Sequence, residues 1–128
     1  MHYQSTGQGQ PFIFQHGLGA NLQQAQGLLA ELDTVQLITM DCPGHGQAPL
    51  PDGQTPSFTY YARQIIQLME QLDTGPAIIG GISMGAGIAL QVALLAPERV
   101  RALVLVRPAW IDQSSPSNLA ILTEAARF

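Results

Sequence analysis

Residues 76–97, P-A-I-I-G-G-I-S-M-G-A-G-I-A-L-Q-V-A-L-L-A-P, constrain the fold more than any other part of this 128-residue chain. Ala77-Ile78-Ile79 is a short apolar run suited to a buried strand, and an apolar segment long enough for a helix follows Gly85. Between them lies G-x-S-x-G, as Gly81-Ile82-Ser83-Met84-Gly85. A strand that reverses sharply into a helix leaves its central residue strained and exposed. The flanking positions must then be glycine, because a Cβ at either would strike the neighbouring element. The Ser83 hydroxyl would stand free at the start of a helix, beside backbone N–H groups suited to a developing oxyanion. A chain of this length contains G-x-S-x-G by chance roughly once in twenty. The placement between a strand pattern and a helix pattern therefore carries the argument.

Other small-ligand turns are excluded. The chain has no lysine, so a P-loop cannot be written in it, and no G-x-G-x-x-G occurs. No cofactor is expected. A composition of 46% hydrophobic and 11% charged residues fits one domain with a buried core. A net charge of −4 with no lysine argues against nucleic acid or an anionic membrane as partner. No apolar run reaches the roughly eighteen residues of a membrane span, and no signal segment opens the chain. Cys42 stands alone, so no internal disulfide forms, and a cytoplasmic protein is expected.

Strand and helix signals alternate along the chain. A short strand and Gly-bearing turn occupy residues 2–10, and Phe12-Ile13-Phe14 leads into His16-Gly17-Leu18-Gly19. Asn21 is placed to cap a helix with Gln24 as capping-box partner; Leu22, Ala25, Leu28, Leu29 and Leu32 would form its apolar face. Residues 35–40 read as a strand ending at Asp41, before C-P-G-H-G-Q-A-P. Ser57 is placed to cap a second helix, with Phe58, Tyr61, Ala62, Ile65, Leu68, Met69 and Leu72 on one face. The helix after Ser83 is apolar almost all round, which predicts burial, and Pro97 stops it. Residues 100–106 form a last strand, a Ser/Pro-rich loop covers 112–118, and 119–128 starts a helix. This alternation predicts an α/β fold with a parallel, doubly wound sheet. Ligands in such sheets sit beyond the carboxyl ends of the strands, where His16 to Gly19, Asp41 to Gly46 and Ser83 all fall.

In these segments and their order, the chain resembles the N-terminal half of the α/β-hydrolase family: H-G-L-G at 16–19, D-C-P-G-H-G-Q-A at 41–48, G-I-S-M-G at 81–85, then V-R-A-L-V-L-V. The resemblance implies that Ser83 is the nucleophile and that the Leu18 and Met84 backbone N–H groups form the oxyanion hole. It also implies that Asp41, Gly44 and Gly46 shape a turn beside the site. Gly17 and Gly19 would let their loop approach a ligand closely, and His16 and Trp110 complete the expected substrate-contacting set. His16 also reads as a hydrogen-bonded turn residue, and Trp110 as a cap on the core. Cys42 and His45 have metal-like spacing, but two ligands do not make a zinc site, so no metal is expected.

The family chemistry needs an acid and then a histidine after the serine. No histidine follows Ser83 here, and Asp112 is a candidate acid that reads equally as a loop or helix-cap residue. Ala86 stands where the family often has glycine. The expected reading is therefore a single α/β-hydrolase domain cut before the segments that carry the general base. As a complete protein it would hydrolyse an ester or related acyl compound through a Ser83 acyl-enzyme; the 128 residues alone would be inactive. The alternatives are a non-catalytic fragment or interaction module, and peroxidase-like or C–C bond hydrolase chemistry on the same fold. Residues 100–106 would be an exposed edge strand open to self-association.

Overall fold

The computed structural model describes residues 1–110, 113–115, 117–125 and 127. Five strands form one sheet: β1 (Tyr3–Thr6), β2 (Gln10–Gln15), β3 (Val35–Met40), β4 (Ala77–Ile82) and β5 (Val100–Val106), in spatial order β1-β3-β2-β4-β5. The pairs β3–β2, β2–β4 and β4–β5 are parallel. The first strand departs from the parallel expectation: β1 runs antiparallel to β3, with Tyr3 opposite Met40. Its connection to β2 spans only residues 7–9, and those two strands are not neighbours in the sheet.

Alternation along the central strands supplies both faces of the sheet. Ile13 and Ile38 point into a core with Ile65, Leu68 and Met69 of α2 (Phe58–Leu72) and Ile88, Ala89 and Val92 of α3 (Met84–Leu95). Phe12, Phe14 and Leu37 point the other way, against Ala25 of α1 (Leu22–Leu28). Each fully buried Ile, Leu or Phe contributes about 1.5–3 kcal/mol. The sheet is thus wound on both sides, with most of the buried side chains on the α2/α3 face.

Three helices show how the local signals were spent. Ser57 caps α2 as expected, accepting the Tyr60 N–H at 3.0 Å. Asn21 caps α1 through the Gln23 N–H, but Gln24 does not close a capping box; its side chain reaches elsewhere. The helix also ends four residues short of Leu32. Leu28 and Leu32 are exposed, and only Leu22 and Ala25 are buried within it. Gly27 in its last turn costs about 1 kcal/mol of helix propensity relative to alanine, which seven residues cannot spare. Burial of α3 is complete at its N-terminal half only, and Leu94 is 75% exposed. The final element described is α4 (Ala120–Ala125), preceded by a 3-10 turn at Ser117–Leu119.

Candidate active site

The elbow forms where its glycines predict it. β4 ends at Ile82, α3 begins at Met84, and Ser83 between them has φ 56° and ψ −114°. Residues other than glycine hold such a conformation only when the surroundings enforce it, and it stores on the order of 1–3 kcal/mol. The enforcement is visible. A Cβ on Gly81 would collide with the Gly85 carbonyl group, and one on Gly85 would collide with the Gln15 and His16 backbones. The Ser83 N–H is fixed on the Val106 carbonyl at 2.9 Å, and its own carbonyl accepts the Ala86 N–H at 3.1 Å. The Ser83 side chain makes no capping hydrogen bond to α3, whose positive N-terminal end it faces without an acidic competitor in the first turn.

The loop after β2 lies against this elbow. A Cβ on Gly17 would stand 3.6 Å from the Ser83 Cβ. The loop is held through both backbone polar groups of Gly17. The Gly17 N–H donates to the Gln24 side-chain oxygen at 2.8 Å, and the Gly17 carbonyl accepts from Ala20 N–H at 3.2 Å and from His16 Nδ1 at 2.7 Å. In a trans peptide the Leu18 N–H lies on the edge opposite that carbonyl. Among the described residues, neither the Leu18 N–H nor the Met84 N–H meets a protein acceptor. The Leu18 N–H, in the loop that meets the elbow, and the Met84 N–H, next in the chain to Ser83, thus keep their hydrogen-bonding capacity free.

His16 is fully buried, and this corrects its expected contact with substrate. Its Nε2 accepts the Cys42 N–H at 3.0 Å, so Nδ1 carries the proton and donates to the Gly17 carbonyl. No ring nitrogen is left for a ligand or for Ser83. Desolvation by burial pulls its pKa below the ordinary histidine value, against the opposing effect of the Gly17 hydrogen bond. His16 is a tie between the loop after β2 and the loop after β3, as its turn reading allowed.

Asp41 organises the second loop. One carboxylate oxygen accepts the Leu22 N–H at 2.8 Å; the other accepts the Gln47 N–H and His2 Nδ1, each at 2.8 Å. Burial pushes its pKa up, but the Gln47, Leu22 and His2 hydrogen bonds outweigh that and hold it below the ordinary value. Gly46 packs directly over this carboxylate, where a Cβ would overlap it. Burial, and then the nearby Asp41 charge, push the Cys42 thiol up to about 12, which keeps it protonated at neutral pH. No group of three metal-ligating side chains exists among the described residues.

Trp110 lies among side chains from the loop after β2, the start of α2 and the start of α3. With Leu18, Met84, Pro56, Ser57, Phe58 and Tyr61 it lines an open groove of about 430 Å³. The Phe58 and Trp110 ring centroids are 6.1 Å apart. Gly19 holds φ 74° in the loop beside Leu18. Asp112, the candidate acid, lies outside the described residues. Sequence reasoning placed Phe58 and Tyr61 in a helix face and Gln24 in a cap, and so missed their places at the site. The aromatic cluster Phe58, Tyr60, Tyr61 at the start of a helix was the available signal.

Comparison with known proteins agrees with this fold. A family model described as alpha/beta hydrolase fold matches residues 10–128. The chain is 32% identical over 110 residues to the dihydrolipoyllysine-residue acetyltransferase component of the acetoin cleaving system of Pseudomonas putida, covering 83% of this chain and 29% of that protein. It is 31% identical over 111 residues to (E)-2-((N-methylformamido)methylene)succinate hydrolase of Acinetobacter baylyi, covering 82% and 40% respectively. Among solved structures, a thermophilic esterase from Thermogutta terrifontis superimposes with a TM-score of 0.82 at 25% identity, over 98% of this chain and 47% of that one. The chain thus spans less than half the length of these relatives.

Proposed function

Because the chain belongs to the α/β-hydrolase family, we propose that it carries the nucleophile and oxyanion half of a hydrolase acting on an ester or related acyl compound. Ser83 Oγ attacks the acyl carbonyl, its proton passing to a base, and the carbonyl oxygen gains charge between the Leu18 and Met84 N–H groups. Collapse expels the alcohol or equivalent leaving group and leaves an acyl-Ser83, which water then cleaves. One oxyanion donor of this kind is typically worth about 3 kcal/mol. The observation that carries the reading is Ser83 at positive φ on a glycine-enforced elbow, and the unengaged Leu18 and Met84 N–H groups support it. Hydrolase and esterase relatives of the same fold support it.

Two of the chain's three histidines support a second, non-catalytic reading. His16 has both ring nitrogens engaged, and His2 is bonded to Asp41. A purified 128-residue chain is therefore a poor catalyst in this proposal, since loss of the general base costs on the order of a millionfold in kcat. The buried, unpaired Cys42 is compatible with the cytoplasm as its compartment; among the described residues no helix is long and apolar enough to cross a membrane. In the complete protein a fluorophosphonate probe tests the nucleophile: Ser83 is expected to be the labelled residue, and Ser83→Ala to abolish labelling with the fold intact. Labelling that persists in Ser83→Ala sinks the assignment.

A further inference from the structure

The Gln24 side chain reaches out of α1 to the loop beside Ser83. Its oxygen accepts the Gly17 N–H at 2.8 Å. That backbone group can only donate, so the amide atom it meets is the oxygen, and the NH2 end of the side chain is the free end. Gln24 is exposed, and among the described residues its Nε2 meets no protein acceptor. The amide also lies close to the elbow. The point where a Gly17 Cβ would stand is 3.5 Å from the Gln24 oxygen and 3.6 Å from the Ser83 Cβ. Glycine leaves that point empty, so no side chain at residue 17 separates the amide from the serine. Gln24 is not among the groove residues around Trp110. Phe58 and Tyr61 of that groove come from α2, whereas α1 packs on the other face of the sheet. A substrate held at Ser83 therefore meets the groove on the α2 side and a polar amide on the α1 side.

Resting on the reading of Ser83 as the nucleophile, we infer that Gln24 is a specificity-determining residue whose NH2 group donates to an uncharged oxygen on the substrate arm that lies toward α1. The favoured class is an acyl compound with an ether, carbonyl or similar neutral acceptor a few bonds from the scissile carbonyl. An anionic acceptor fits less well. The Leu22 N–H in the same first turn already holds the Asp41 carboxylate, which its hydrogen bonds keep ionised at neutral pH. The Gln24 donor is exposed and trades a water for the substrate oxygen, so its effect is modest, about threefold in kcat/KM.

The experiment compares isosteric esters on the complete protein, each pair differing by one oxygen in place of a methylene. On the alcohol arm the pair is 2-methoxyethyl butanoate and butyl butanoate; on the acyl arm it is methyl 5-methoxypentanoate and methyl heptanoate. Gln24→Glu keeps an oxygen for the Gly17 N–H but has no donor at neutral pH. Within each pair the kcat/KM ratio of methoxy to alkyl ester is read, so any effect of the substitution on the loop itself cancels. The expected result is a ratio that falls about threefold from the unaltered protein to Gln24→Glu in at least one pair. Gln24→Ala, which loses oxygen and donor together, should lower that ratio equally and slow both esters as well. A ratio that does not fall in either pair overturns the inference. Fluorophosphonate labelling of the unaltered complete protein separates the two levels. Labelled Ser83 with unchanged ratios removes the role of Gln24 and leaves the nucleophile standing; absence of labelling at Ser83 removes both.

Discussion

Gln24 and Gly17 are joined by a 2.8 Å hydrogen bond in which the Gly17 N–H donates to the Gln24 side-chain oxygen. This contact ties the first turn of α1 to the loop that lies against Ser83. Breaking it leaves a part-buried N–H without a partner, at a stability cost of about 1 kcal/mol. Gln24→Ala is expected to lower the unfolding midpoint slightly and, in the complete protein, to slow fluorophosphonate labelling of Ser83 several-fold. Gln24→Glu, which retains an acceptor oxygen, should restore the labelling rate. Equal slowing in both variants would show that the hydrogen bond is not what holds the loop.

His16 and Asp41 are expected to contribute to the acid limb of the stability profile. The folded-state pKa of His16 lies below its unfolded value, so the unfolded chain takes up a proton first as pH falls below about 6.5. Its contribution is full above that pH and is lost as pH drops toward the folded value. Asp41 has a depressed carboxyl pKa, so its contribution is full above about 3.8 and disappears as pH falls through the folded value. Urea midpoints are therefore expected to decline from pH 7 to 5 and again below 4. Nitrogen-15 spectra should show His16 as the neutral Nδ1–H tautomer at pH 6.5; a half-protonated His16 ring there would contradict the burial argument.

The core of the fold and the elbow were legible because both rest on local pattern. β3 coincides with residues 35–40, and β4, Ser83 and α3 follow the P-A-I-I-G-G-I-S-M-G reading. The rest depended on distance. β1 pairs antiparallel across the sheet with a strand more than thirty residues away, which no short-range pattern encodes. Gln24 sits where a capping-box residue would sit, and the competing acceptor site at Gly17 won its side chain. His16 looks the same in sequence whether it faces ligand or backbone; only the Cys42 N–H, twenty-six positions on, decides the matter. The groove draws on four separate segments, so Phe58 and Tyr61 read from sequence as ordinary helix-face residues.

Gly85→Ala tests whether the elbow depends on close backbone approach. The added methyl would have to enter space filled by the Gln15 and His16 backbones, neither of which can rotate away as a side chain could. Overpacking typically costs about 1–3 kcal/mol, and a collision with fixed backbone belongs at or above the top of that range. Ala86→Gly, one position along in the same helix, is a control expected to cost about 1 kcal/mol. Similar denaturation midpoints for Gly85→Ala and the unaltered chain would mean that the strand and helix can separate at no cost.

Strand β5 should make these 128 residues self-associate. It pairs with β4 on one side and stands at the edge of the sheet, with Leu103, Val104 and Leu105 each more than a third exposed. An edge of this kind presents unpaired N–H and C=O groups to any similar strand, and a second copy of β5 is the occupant expected here. Arg101 and Arg107 bracket the run, but no charge interrupts it from Ala102 to Val106. Size-exclusion with light scattering is expected to show dimers or larger species whose proportion rises with concentration. Leu105→Lys, which puts a charge on the edge, should shift them toward monomer. A monodisperse monomer of the unaltered chain with one sharp thermal transition would mean that the exposed edge is protected in some other way, and the self-association proposal would fail.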